Sequence, residues 1–108
     1  MAQLDVVVDQ RIKMAVAAVS RFGRVVRAYL FGSQVEGTAD RWSDIDLAVF
    51  VEGVESWDMH QRARVAAQVQ KTAGDDVEIH FLPAKALQEH DEASFAAWVL
   101  THGVEVQI

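Results

Sequence analysis

The sequence predicts an α/β fold of the α+β type. Three short runs rich in β-branched and aromatic residues stand among segments with helical spacing. The runs are bounded by glycine and polar turns. Helix and strand signals interleave along the chain, as expected of one sheet with helices packed on it.

Residues 1–22 read as a helix, because Ile12, Ala15, Val16, Val19 and Phe22 recur on one face. Asp5 or Asp9 is the candidate cap and Gly23 the stop. Residues 25–31 form the first strand, apolar except for Arg27, the pattern of a strand buried on both faces. Gly32 follows at once, and Ser33 is placed to cap a short helix over 34–36 that Gly37 ends. A polar loop, 38–43, leads to the second strand, 45–51. Residues 57–73 form the second long helix, with Ser56 as candidate cap, Asp58 in its first turn and Gly74 as its stop. The third strand, 76–82, alternates clearly: Val77, Ile79 and Phe81 on one face, Asp76, Glu78 and His80 on the other. A short helix at 84–89 and a longer one at 92–102 follow Pro83, the latter carrying Phe95, Trp98 and Val99 and ending at Gly103. Val104, Val106 and Ile108 alternate with polar neighbours and suggest a short edge strand.

The chain's 108 residues suit one domain, 1–108. A net charge of −6 argues against general nucleic-acid binding, which needs basic surface against phosphate. It leaves room for one bound nucleotide whose charge is met by metal ions. The absence of cysteine removes disulfides and thiolate metal sites. No signal-peptide pattern and no membrane-length apolar run is present, so the expectation is a cytoplasmic protein without membrane contact.

The chemistry concentrates between Tyr29 and Val51. A glycine at a strand end lets a ligand approach the backbone, and amides at a helix start attract anions. Gly32 and Ser33 are therefore candidate phosphate-binding residues. After ten intervening residues come Asp44 and Asp46. Strand alternation puts these two on one face, with Ile45, Leu47, Val49 and Val51 turned to the core. Paired carboxylates repel unless a basic partner or a divalent cation stands between them, and magnesium prefers such hard oxygen ligands. Should the second and third strands be neighbours, Glu78 approaches the same place. His80 shares that face, and the expectation for it is a solvated or hydrogen-bonding neighbour of the site, not a ligand.

Gly32-Ser33, the Asp44/Asp46 pair and Glu78 in this strand context resemble the minimal nucleotidyltransferases of the DNA polymerase beta-like superfamily. The resemblance is specific over 25–82 and looser to the end, where 95–103 looks like the family's closing helix and glycine. It implies a nucleotidyltransferase fold, a small mixed sheet flanked by helices. It implies that Gly32 and Ser33 hold a nucleoside triphosphate, and that Asp44, Asp46 and Glu78 are catalytic and hold two Mg2+ ions, for which Mn2+ substitutes. The third carboxylate is usually aspartate in the family; Glu78 is one methylene longer. The reaction implied is transfer of AMP from ATP to a hydroxyl, with Glu78 also a candidate proton acceptor.

One departure concerns the residues after Gly-Ser. The family often places a basic residue or two there, whereas this chain has Gln34, Val35 and Glu36, with Arg41 the nearest candidate substitute. Among such relatives are antitoxins that pair with a helical HEPN-type toxin and adenylylate it, so a partner protein is the expected acceptor. Trp42, in the polar loop beside Asp44, is a candidate anchor for that partner; packing on the second strand is its alternative role. Two other readings stand beside this one. A catalytically silent module would neutralise its partner by contact alone. A transferase for a small hydroxylated molecule, such as an aminoglycoside, would need a second substrate-binding domain.

Overall fold

The structure, a computed structural model, describes residues 6–32, 35 and 44–108. Its centre is β2 (Ile45–Val51), apolar at every position but Asp46. β1 (Val25–Phe31) pairs with β2 antiparallel and β3 (Val77–Pro83) pairs with it parallel. β4 (Val104–Val106) adds antiparallel to the far side of β1, giving the order β3-β2-β1-β4. The sheet is thus mixed, as the family resemblance implied. Pro83, which has no amide to donate, ends a strand on the sheet's edge, where that loss is tolerated.

Both faces of the sheet are covered. α1 (Val6–Ser20) and α2 (Met59–Ala73) pack on one face. Ile12, Val16 and Val19 from α1, with Val65 and Val69 from α2, meet Leu30, Ile45, Leu47, Val49 and Val77 in a continuous core. The opposite face carries a smaller core. There Tyr29, Phe31, Ala48 and Phe50 lie under Ala96 and Val99 of α3 (Phe95–His102), with Ala86 of the 3-10 turn Ala84–Leu87. Phe50 is completely buried, its ring edge-on to Tyr29 at 5.8 Å. This second core explains why β1 and β2 are almost wholly apolar.

All three strands and the short edge strand form within a residue or two of their expected places. Residues 1–5 of the first expected helix, with the cap candidate Asp5, lie outside the described residues. The helix ends that are described fall inside the ranges their periodicity suggests, and local hydrogen bonds accompany them. α1 closes at Ser20, whose hydroxyl donates to the Val16 carbonyl at 2.8 Å. α2 starts later than residue 57, because Asp58 and not Ser56 caps it: Asp58 Oδ1 accepts from the Gln61 amide at 2.7 Å. The Ser56 hydroxyl instead donates to Gly53 O at 2.7 Å, closing the 3-10 turn Val54–Ser56. α3 begins at Phe95, capped by Ser94 Oγ, which accepts from the Ala97 amide at 3.2 Å. Where a short helix over 84–89 is expected, Ala84–Leu87 make a 3-10 turn.

Arg11 ties the two long helices to the third strand. Its Nε donates to the Ala73 carbonyl at 2.8 Å, and its Nη2 donates to Asp76 Oδ1. The end of α2, the Gly74 turn and the start of β3 are held together in this way. That hydrogen bond holds the Asp76 carboxyl below its ordinary value. The contribution of the pair is fully present above the unfolded value of about 3.9 and is lost as pH falls through the lower, folded value. Arg11→Ala is expected to reduce stability by about 1 kcal/mol at pH 7, the scale of a partly exposed charge-assisted pair. Denaturant titrations of both proteins at pH 7 and pH 3 check this: the gap between them narrows at the lower pH.

Candidate active site

Strand pairing decides which side chains meet at the open end of the smaller core. Asp46 faces Phe31 on β1 and Glu78 on β3 across the sheet. In the next row of the same face, Tyr29, Ala48 and His80 lie side by side. Ala48 is small and fully buried, and the His80 ring leans toward Phe31, edge-on at 5.2 Å. Phe95 packs against both rings, 5.4 Å from Phe31 and 5.6 Å from His80. Trp98 extends this aromatic wall outward, stacked with His102 at 4.8 Å.

Within this frame one donor atom each from Asp46, Glu78 and His80 lies within 4.8 Å of the others. Burial raises the Asp46 carboxyl above its ordinary value, and a hydrogen bond and like charge from Glu78 add to the effect. His80 opposes it, and the charge of Asp44 reinforces it. Two carboxylates this close repel each other, and a divalent cation between them relieves that repulsion. Two carboxylates and an imidazole at this spacing suit such a cation chemically.

Gly32 seals the other side of Asp46. Its φ is +81°, and a Cβ there would stand 2.5 Å from Asp46 Oδ2. Only glycine fits both the left-handed backbone and the contact. The Gly32 carbonyl accepts from the Val35 amide at 3.0 Å, closing the turn that follows β1.

The sequence profile of the family named Polymerase beta, Nucleotidyltransferase matches residues 13–103. The chain belongs to this nucleotidyltransferase family. Among solved structures, this nucleotidyltransferase resembles one described as a toxin-antitoxin with AMP-PNP. The TM-score is 0.62 at 25% identity, over 92% of this chain and 72% of that one. A candidate nucleotidyltransferase from Sulfolobus solfataricus shares the fold at 21% identity and a TM-score of 0.51, over 81% and 82% of the two chains. No curated protein sequence matches the chain. The family match and the solved neighbour are consistent with a minimal nucleotidyltransferase, and family membership supports nucleotidyl transfer as its general chemistry.

The structure brings Gly32, Asp46 and Glu78 together as the sequence suggested. Asp44 is exposed, one residue before β2, and stands outside the 4.8 Å group while still acting on Asp46 through its charge. Ser33, Gln34, Glu36, Arg41 and Trp42 lie outside the described residues. His80 sits in the donor group itself, closer to the chemistry than its expected place beside the site. The aromatic wall was not foreseen. Its signal was the parity that puts Phe31 on the carboxylate face, together with the spacing of Phe95 and Trp98.

No helix among the described residues is long and apolar enough to cross a membrane. A separate open cleft of about 740 Å3 lies between α1 and the end of the chain, lined by residues that include Lys13, Ser20 and Ile108; none of the site carboxylates lines it.

The crowding of charge at Asp46 has a measurable consequence. In protein freed of metal by a chelator, Asp46→Asn is expected to raise the thermal midpoint, because relieving a like-charge cross-strand pair stabilises the fold by up to about 1 kcal/mol. Gly32→Ala is expected to lower it, since the backbone strain alone is about 1–2 kcal/mol. Calorimetry of the three proteins decides; an Asp46→Asn midpoint below the parent's contradicts the crowding.

Proposed function

We propose that this protein transfers a nucleoside monophosphate, AMP from ATP in the first instance, to a hydroxyl on a partner protein. The observation that carries the reading is the Asp46–Glu78 pair set against the Gly32 turn. In this reading residues 1–108 act as one nucleotidyltransferase domain, working in the cytoplasm. The backbone at Gly32 and Ser33 holds the triphosphate. Asp44, Asp46 and Glu78 hold two Mg2+ ions, or Mn2+ in their place. When bound, the two ions supply charge neutralisation and activation of the acceptor hydroxyl in an in-line displacement.

The remaining work falls to the protein. Asp46 is fixed on the central strand between Phe31 and Glu78, so the carboxylates need little rearrangement to act. In this reading Glu78, exposed on the edge strand, accepts the hydroxyl proton as the hydroxyl oxygen bonds to the α-phosphorus and pyrophosphate leaves. The solved neighbour described as a toxin-antitoxin with AMP-PNP supports an adenine nucleotide and a protein partner. The partner we propose is a helical HEPN-type toxin, with this chain as its antitoxin and Trp42 near their contact. A silent antitoxin acting by contact alone is the second reading, favoured by the acidic and apolar Gln34-Val35-Glu36 after the turn.

Incubation with ATP labelled at the α-phosphate, magnesium and the candidate partner tests the proposal. Label on the partner is expected, with Glu78→Gln at least about a hundredfold slower, the lower range for a positioned acid–base group. Tight partner binding without transfer supports the silent antitoxin, and label on a small molecule supports a small-molecule transferase.

A further inference from the structure

We infer that His80 is itself a ligand of the metal site, giving it a nitrogen donor and a preference for transition-metal ions over magnesium. The inference rests on the proposed carboxylate metal site and adds to it a ligand that the Asp44, Asp46 and Glu78 set does not include.

Three observations carry it. A His80 ring nitrogen shares the 4.8 Å spacing with oxygens of Asp46 and Glu78, whereas Asp44 falls outside it. The His80 ring is held in place by apolar packing, between Phe31 at 5.2 Å and Phe95 at 5.6 Å. And among the described residues no hydrogen bond engages either of its nitrogens. His90 and His102 differ on this last point: the Nδ1 of each contacts a backbone carbonyl one turn back, at 2.7 Å and 3.0 Å. His80 is thus a half-buried imidazole, oriented by its neighbours, with its nitrogens left for something beside two carboxylates.

The donor set sets the preference. Magnesium favours all-oxygen surroundings and keeps its waters, while imidazole binds later divalent ions better, in the order manganese, iron, cobalt. An Asp-Glu-His group therefore gains affinity for manganese and cobalt that a carboxylate-only site lacks. Ala48 belongs to the same design, since a larger side chain in its row would crowd the His80 ring.

Electron spin-echo spectroscopy of Mn2+ bound to the parent protein reads nitrogen coordination directly, without any transfer reaction. The expected result is 14N modulation that changes to the 15N pattern when histidine alone is 15N-labelled, a readout that needs no variant. In His80→Gln, Mn2+ still binds, the modulation is lost, and the ratio of Co2+ to Mg2+ affinity falls at least about tenfold. Mn2+ bound without nitrogen modulation overturns this inference and leaves the carboxylate site standing. Failure of the parent to bind Mn2+ at all overturns both.

Discussion

Asp46 and Glu78 stand opposite each other on adjacent parallel strands, and the rest of the structure keeps them there. Asp46 cannot move away cheaply. Asp46 is the one polar side chain of a strand whose other residues are all fully buried. Shifting β2 by one residue would turn Leu47, Val49 and Val51 out of the main core, so the register is strongly held. Gly32 leaves Asp46 just enough room on one side, and the charge of Asp44 presses from another. The fold spends stability to hold negative charge at a fixed point, an arrangement that suits a site completed by a cation.

The two cores divide the work. The larger one, under α1 and α2, provides most of the burial and is closed by the Arg11 clasp to Ala73 and Asp76. The smaller one ends at Phe31, and beyond it the same sheet face turns from apolar to acidic. Phe31, Phe95 and Trp98 form the boundary, with Phe95 and Trp98 still 41% and 39% exposed. A charged group beside such a wall faces less water, and its interaction with a bound cation is correspondingly stronger.

Much of this was legible in the residues. The strands announced themselves through β-branched runs, and the alternation around Glu78 put it on the right face before any pairing was known. What alternation does not contain is adjacency. Whether Glu78 meets Asp46 depends on β3 lying parallel beside β2, a long-range pairing that no local pattern encodes; the mixed sheet followed only from the family resemblance. Helix starts were misplaced where two capping residues compete, as Ser56 and Asp58 do, because the winner depends on where the turn before them closes. His80 was placed on the correct face but not in the donor group. Its position there comes from contacts with Phe31 and Phe95, which lie 49 and 15 positions away in the chain.

A divalent cation held between these carboxylates is the feature on which the proposed chemistry depends. Anomalous diffraction from crystals grown with Mn2+ measures that directly. The predicted result is a strong manganese peak within bonding distance of both Asp46 and Glu78, on the Phe31 side of the sheet. Fully ordered carboxylates with no peak between them, at Mn2+ concentrations that saturate other nucleotidyltransferases, would contradict it.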